Sequence, residues 1–467
     1  MFVNNKLEEF NKEIMGKRIA IIGLGISNLP LIDYFYNLNC SISVFDNREK
    51  DKLNKSIIDE LENKNVKYYF GENSLEKLFG FHYIFRSPSC RPDTPEILKE
   101  IERGAILTSE IEKVIELTPS KVIGVTGSDG KTTTTSLIYE ILKQSGKNCY
   151  LGGNIGIPLF TQIKEMMPED YVVLELSSFQ LMDMKISPDI AVVTNITPNH
   201  LNVHKDYQEY IDSKKNIFLY QNENGKLVIN YDNEITKNFK YDAKGRVIYF
   251  SHKKILDDGI IFDETDKTIK YCDEGVRKHL VKQKDMKLRG EHNCENACSA
   301  IGATYGLVTE DVIVKTIESF GGVEHRLEFV KKIDGVKWFN DSIGTSPTRT
   351  IAGLNSFDEK IVLIAGGYDK NLDYEPIAEP IVKNVSKLVL MGATADKIEK
   401  AVVKQLKKEN KVIPIYRCSS LEEAVGTAKE VAQTSEVVLF SPASASFDLF
   451  RNFEERGNRF KEIVNNI

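Results

Sequence analysis

Short apolar runs alternate with amphipathic stretches from one end of this chain to the other. "RIAIIGLG" (18–25), "SISVFD" (41–46) and "FHYIFRSP" (81–88) are too short for helices and almost continuously apolar, so they read as strands. Between them lie stretches such as "SNLPLIDYFYNL", with apolar residues at helical spacing. Alternation of this kind predicts a parallel sheet built from strand–helix–strand units. It restarts after "ELTPS" with "KVIGVTGSDG", "YVVLELSS" and "IAVVTNITP". Residues 221–290 differ. "GKLVINYD", "GRVIYFSHK" and "DGIIFDE" are short, alternating and rich in turn residues, which predicts antiparallel strands in a small subdomain. "HNCENACSAIGATYGL" reads as a helix of small residues, and a third set, "VKWFNDS", "KIVLIAGG", "KLVLMG" and "VVLFSPAS", begins near residue 323. The expectation is an α/β protein of three domains, residues 1–117, 118–321 and 322–467.

Length supports the division, because 467 residues exceed what one hydrophobic core serves. Lys and Arg total 62 against 68 Asp and Glu, a net charge of -6, which argues against nucleic-acid binding by bulk charge. The start, "MFVNNKLEEFNKEIMGKRIAIIG", lacks an uninterrupted apolar segment behind a basic tip, so no signal peptide is expected. No apolar run approaches the ~20 residues that span a bilayer. The seven cysteines are scattered, with only Cys294 and Cys298 close together, and read as reduced thiols of a cytoplasmic protein.

The chemistry begins at "VIGVTGSDGKTTTTSLIYEIL" (122–142). A buried strand runs into Gly127, Gly130 and Lys131, and a run of hydroxyls then opens a helix. Glycines let backbone N–H groups approach phosphate oxygens, Lys131 adds charge, and Thr132 is placed to hold Mg²⁺. The common phosphate-loop spacing fails, since its first glycine position is Val125. Glu175 ends the apolar strand of "VVLELSSFQL". A carboxylate there is costly unless paired or metal-bound, and open α/β sheets collect ligands at strand C-termini, so Glu175 is a Mg²⁺ ligand candidate beside Thr132. His200, after "IAVVTNITPN", emerges at the same edge. Lys214 and Lys215, in the helix "YQEYIDSKKNIFLYQ", read on their residues alone as a solvated face.

"GLGISN" is an altered dinucleotide fingerprint: Gly23 and Gly25 fit, but Asn28 holds the third glycine position. Asp46 ends the next strand and Arg48 follows, which favours a nucleotide-like ligand other than NAD. In the last third, "EHRLEF", "FNDSIGTSPT", "AGGYDKN" and "FSPASASFDLFRNFEERG" bring Arg326, Asp341, Lys370 and Ser446 to strand ends or domain joints. There is no G-x-S-x-G elbow for a serine hydrolase. On residues alone, a regulatory phosphate-loop NTPase and a dinucleotide-dependent oxidoreductase both stay open.

Taken together, "GVTGSDGKTTT", "GGNIGIP", "LELSSFQL", "HN" at 292–293, "EHRLEFV" and "NDS" resemble the Mur ligases of peptidoglycan synthesis, whose loop reads T-G-x-x-G-K-[ST]. The resemblance covers nearly the whole chain. "IIGLGISN" and "FSPASASFDLFRNFEERGNRF" point to the branch of the family that joins D-glutamate to UDP-N-acetylmuramoyl-L-alanine, and away from folylpolyglutamate synthases. The resemblance implies Rossmann-like first and last domains around a central ATPase domain. It implies a cytoplasmic, monomeric, ATP-dependent amide-forming ligase of cell-wall synthesis that uses an acyl phosphate.

The same resemblance assigns roles. ATP would lie on Gly127, Ser128, Asp129, Gly130, Lys131, Thr132 and Thr133, with Asn296 at adenine and Arg326 and Asp341 also on the nucleotide. Two Mg²⁺ ions would be held by Thr132 and Glu175, and by His200 with a carbamylated Lys214, selected over Lys215 by the Y-x-x-x-K spacing of "YIDSK". The UDP-linked substrate would meet Ser27, Asp46, Arg48, Asn154, Ser177 and Gln180, and D-glutamate would meet Thr345, Lys370, Ser446 and Phe453. Three positions depart from the family pattern: Ile343 replaces a lysine, for which Arg349 is the expected substitute; Asn199 replaces an acid; and Ser89 replaces a glycine.

Overall fold

The computed structural model describes residues 2–53, 55–198, 203–288, 290–369 and 372–467. Two compact units emerge: Met1–Met286 with Glu291–Ser319, and Lys287–Gly290 with Phe320–Ile467.

The first unit holds two sheets. One has five parallel strands, β1 (Arg18–Ile22), β2 (Ser41–Asp46), β3 (Lys67–Phe70), β4 (Tyr83–Arg86) and β5 (Ile106–Thr108), in the order β3-β2-β1-β4-β5. The order reverses beside β1, and such a reversal opens a crevice at the strand C-termini. The other sheet contains β6 (Lys121–Thr126), β7 (Cys149–Gly153), β8 (Tyr171–Glu175), β9 (Ile190–Val193), β10 (Lys226–Asn230), β11 (Arg246–Ser251), β12 (Gly259–Asp263), β13 (Thr268–Asp273) and β14 (Val276–Lys282). Their order is β14-β13-β12-β11-β10-β9-β6-β8-β7. β6 lies between β8 and β9, with Val125 opposite Glu175, so the glycine loop and that carboxylate leave the sheet at one edge.

The antiparallel strands expected over 221–290 are narrower than that segment. β10 and β11 run parallel to β9, and only β12–β14 form an antiparallel meander. The meander extends the central sheet. The alternation in "GKLVINYD" and "GRVIYFSHK" marks short strands, and it carries no information about their direction.

The second unit contains β15 (Glu328–Ile333), β16 (Val336–Asn340), β17 (Lys360–Ala365), β18 (Val385–Met391), β19 (Ile415–Cys418) and β20 (Glu436–Phe440), ordered β15-β16-β20-β17-β18-β19. All pairings are parallel except the β15–β16 hairpin. No helix among the described residues is long and apolar enough to cross a membrane.

One hydrophobic core runs between the two sheets of the first unit. The helix Asn5–Ile14, capped by the Asn4 side chain accepting from Leu7 N, buries Leu7, Phe10 and Ile14 in it. Phe10 meets Tyr83 and Phe160 edge to face, at 6.2 and 6.1 Å between centroids. Glu110 lies inside the same region. Its Oε1 accepts from the N–H groups of Leu159 (2.9 Å) and Phe160 (3.0 Å) and so caps the short helix Phe160–Glu165.

Burial raises the Glu110 carboxyl to about 7, against an ordinary 4.5. A carboxyl that binds its proton more tightly when folded stabilises the fold fully below about pH 4.5 and loses that contribution as pH rises through 7. Gln at this position keeps the acceptor and removes the charge. Urea unfolding from pH 5 to 8 is expected to show Glu110→Gln gaining on the parent chain, by about 1–3 kcal/mol at the alkaline end. A stability difference that does not change with pH would contradict the assignment.

Candidate active site

The loop between β6 and the helix Lys131–Gln144 is built on two glycines that no other residue replaces without strain. Gly127 and Gly130 have φ of +148° and +79°. A Cβ at Gly127 would collide with Thr194 Oγ1, and one at Gly130 with Asn296 Oδ1. The segment after β9 pins the loop from below. Ser128 N donates to Asn195 O (2.9 Å) and Asp129 N to Asn195 Oδ1 (2.9 Å), while Ser128 Oγ donates to Thr197 O and accepts from Thr197 N, each at 2.9 Å. Lys131 Nζ donates to Gly127 O (3.0 Å) and Ser128 O (2.9 Å). Thr132 and Thr133 are buried in the first helical turn. A glycine turn, a helix N-terminus and a lysine together form an anion cradle.

Beside the cradle, Glu175 is 1% exposed. Its Oε1 accepts from Asn154 Nδ2 at 2.8 Å, but its buried Oε2 meets no hydrogen-bond donor among the described residues. An orphaned buried carboxylate oxygen is costly, and a cation would compensate it. With the Thr132 hydroxyl it makes a hard oxygen donor set that fits Mg²⁺. No cluster of three or more His, Cys, Asp or Glu side chains suited to a metal occurs among the described residues. His200 lies outside those residues, as does Lys370.

The solvated face expected of the lysine pair fails for Lys214 and is only partly met by Lys215, whose side chain is 22% exposed. Lys215 ion-pairs with Asp242 at 2.7 Å. Lys214 is buried and points at the cradle, its Nζ donating to Gly127 O (2.8 Å) and Thr126 Oγ1 (3.2 Å). Burial, reinforced by the Lys131 charge, drives its pKa well below the ordinary lysine value. The local pattern hid this, because the helix Tyr207–Leu219 turns an inward face to the sheet edge. Tyr210, on that face, hydrogen-bonds Ser128 Oγ at 2.8 Å.

Two residues expected at the substrate form a local capping device. Ser177 caps the helix Ser178–Leu181, and Gln180 Oε1 accepts from Ser177 N (2.9 Å). At the five-stranded sheet, Asp46 is buried: Oδ2 accepts from Leu24 N (2.8 Å), and Arg48 Nε and Nη2 reach its two oxygens at 2.8 and 2.7 Å. Asp46 thus fixes both the "GLGISN" turn and Arg48. Asn28 has the same turn-holding role, donating to Ile22 O and Gly23 O, and Ser27 is half-buried beside it.

In the second unit, Asp341 is buried, and its Oδ2 accepts from Ser441 Oγ at 2.6 Å. Burial raises its carboxyl to about 6, opposed in part by the charges of Arg326 and Arg349. Thr345 N donates to Ile343 O (2.8 Å), as does Arg349 Nη1 (3.3 Å). Ser446 is buried, and Phe453 O accepts from Ser342 Oγ (2.8 Å).

One residue missed in the sequence is Arg456, which is 1% exposed. It donates to Ser342 Oγ (3.1 Å), Ser342 O (2.9 Å), Ala445 O (2.8 Å) and Ser444 O (3.1 Å), tying "NDS" to "SPASAS". Next to it, a Cβ at Gly457 would strike the His325 ring. "FEERG" stood in a recognised segment, but nothing in its pattern marked one arginine as internal.

Comparison with known proteins matches all three regions. The family description "Mur ligase MurD-like, N-terminal domain" matches residues 17–109, "Mur ligase middle domain" residues 125–304, and "Mur ligase, glutamate ligase domain" residues 325–444. The chain is 51% identical over 467 residues to UDP-N-acetylmuramoylalanine--D-glutamate ligase of Acetivibrio thermocellus, covering all of both chains. It is 48% identical over 465 residues to the protein of that name from Clostridium tetani, again across the full length of both. Among solved structures it resembles MurF of Acinetobacter baumannii (TM-score 0.57, 16% identity, 99% of each chain). It also resembles UDP-N-acetylmuramate-alanine ligase MurC of Thermotoga maritima (TM-score 0.56, 19% identity, 96% and 99% of the two chains).

The loop geometry carries a direct test. Gly130→Ala would force a left-handed backbone on alanine and displace Asn296. ADP affinity measured by calorimetry is expected to fall about tenfold or more, equivalent to ~1.4 kcal/mol, with the fold retained. Unchanged affinity would show that the cradle does not depend on this close approach.

Proposed function

The chain belongs to the Mur ligase family, and from that premise we propose that it joins D-glutamate to UDP-N-acetylmuramoyl-L-alanine at the expense of ATP, in the cytoplasmic stage of peptidoglycan synthesis. What carries this reading is the end-to-end likeness to ligases named for that reaction, at both the nucleotide-sugar end and the glutamate end.

A carboxylate is a poor acyl donor because its leaving group would be oxide. Transfer of the γ-phosphoryl group to a carboxylate oxygen of the substrate breaks the bond to ADP and gives an acyl phosphate. Attack by the glutamate amine forms the C–N bond, expels phosphate and releases one proton. Both steps gather negative charge, so the site must supply positive charge and fixed donors. Residues 127–133 hold the phosphates, through Lys131 and the N–H groups of the first helical turn, while Asn195 takes the N–H groups of Ser128 and Asp129 and fixes the loop. Mg²⁺, when bound, would neutralise the converging anions; Thr132 and Glu175 would hold one ion, and His200 with Lys214 a second.

Lys214 serves as a metal ligand only after it becomes an anion. Its buried, proton-poor amine is suited to adding CO₂, which yields a carbamate and one proton. Ser27, Asp46, Arg48, Asn154, Ser177 and Gln180 bind or shape the UDP-linked substrate. Asn296, Arg326 and Asp341 serve the nucleotide, and Thr345, Lys370, Ser446 and Phe453 the glutamate. Arg349 substitutes for the family lysine at Ile343, supported by its bond to that residue's carbonyl. The enzyme works as a monomer in the cytoplasm.

Mass spectrometry of reactions holding ATP, UDP-N-acetylmuramoyl-L-alanine and a panel of amino acids should show one adduct, dependent on D-glutamate. Nucleotide hydrolysis without an amide product would favour a regulatory NTPase instead. Lys214→Ala is expected to lose about 10³-fold or more in kcat, a barrier increase of ~4 kcal/mol, and to recover partly with added short carboxylic acids. Recovery with none of them would count against the carbamate. For Arg349→Ala, a D-glutamate KM raised about tenfold is expected; an unchanged KM and kcat would remove Arg349 from the glutamate site.

A further inference from the structure

The loop after β4 reaches in two directions. On one side, Ser87 Oγ lies over Gly23 of the "GLGISN" turn and hydrogen-bonds Ser89 Oγ at 2.7 Å. On the other, Arg91 crosses to the central sheet. Its five guanidinium N–H groups have five acceptors: Nε and Nη2 donate to Asp93 (2.8 and 3.1 Å), Nη1 and Nη2 to Glu209 (3.1 and 2.7 Å), and Nη1 to Val203 O (2.8 Å). A planar fork so completely engaged has one orientation, which a lysine does not reproduce.

Glu209 passes the constraint on. It sits in the helix Tyr207–Leu219, whose inward face carries Tyr210 and Lys214. Its Oε2 also accepts from Lys205 N (2.8 Å) and faces His204 Nδ1 at 3.3 Å. His204 is buried, stacks on Phe179 and shares a hydrogen bond with Ser178 Oγ at 2.9 Å. Ser178 opens the short helix capped by Ser177 and Gln180. A second arginine of the same strand end, Arg86, grips Asp183 and donates to Phe179 O (3.0 Å).

Resting on the function proposed above, we infer that Arg91 and Glu209 are positioning residues for ligation: they hold the loop beside the nucleotide-sugar crevice in register with the helix that carries Lys214 and, through His204, with the helix capped by Ser177. The two residues touch neither the phosphate cradle nor the orphaned Glu175 oxygen. They set the distance between the carboxylate to be activated and the phosphoryl group that activates it. A misplacement of about 1 Å in such a geometry costs on the order of 10²-fold in rate. A simple structural staple would cost stability alone.

The test uses the full-length enzyme, with ligation by the parent chain as the reference; its absence would sink the functional reading and leave this inference without a reaction. Arg91→Lys, Glu209→Gln and the double variant are compared in kcat, in KM for each substrate, in ADP affinity by calorimetry and in melting temperature. Each single change is expected to lower kcat about 10- to 100-fold, ADP affinity should stay within about twofold, and the double variant should be no worse than the poorer single one. Should Arg91→Lys fail to fold, Glu209→Gln, which keeps the shape of the acceptor, decides alone. The inference is overturned if kcat stays within about twofold of the parent, if the two losses multiply, or if activity falls only in proportion to ADP affinity and folded fraction.

Discussion

The central constraint is the polarity of a glycine loop that opens a helix and forms an anion cradle. A backbone that turns its donors outward turns its carbonyls inward, and buried carbonyls need donors of their own. Here the donors are two lysines. Gly127 O receives both Lys131 Nζ and Lys214 Nζ, and Ser128 O receives Lys131 a second time. The cradle, the burial of Lys214 and the depression of its pKa are therefore one arrangement. Glu175 belongs to it as well, since its field favours the lysine charge that burial opposes, and its unused oxygen leaves room for a cation.

The second unit solves the same problem with a different cation. Arg456 satisfies carbonyls of Ser342, Ser444 and Ala445 from within the core. Burial lowers its pKa only to about 10, so it keeps its charge and remains a permanent cross-link between two loops. Lysine in the same predicament sheds its proton far more readily. That difference separates a buried cation used for architecture from one available for chemistry.

Much of this was legible in the sequence, because buried parallel strands and glycine loops write themselves into short apolar runs and punctuation. β1, β2, β6, β8, β9, β17 and β20 lie where the apolar runs placed them. The half-buried aromatic strand β3 and the short β5 left no such signal, and the helix Asn5–Ile14 is masked by its charged face. The direction of β10 and β11 depends on which neighbour they join, a long-range choice. Lys214 could be separated from Lys215 only by family resemblance, since a helix records its faces over several turns and this one has a weak pattern. Arg91 and Arg456 stayed silent for a different reason: the partners that tie them to other elements, Glu209 and Val203 for Arg91 and Ser342 for Arg456, are far away in sequence.

Two of the three positions that depart from the family pattern are absorbed by their neighbours; the third, Asn199, lies outside the described residues. Ser89 turns its added hydroxyl onto Ser87, forming a pair above the first glycine turn. Arg349 reaches the carbonyl of Ile343, so a guanidinium stands within hydrogen-bond range of the residue that replaced a lysine. Asn28, which departs from the dinucleotide fingerprint and not from the family pattern, donates its amide to two carbonyls of the turn, Ile22 O and Gly23 O. In the first case a side chain bonds a neighbouring hydroxyl, and in the other two a backbone carbonyl, at the C-terminal edge of a sheet. That edge tolerates such exchanges because its strands, buried on both faces, fix the backbone independently of the loops they carry.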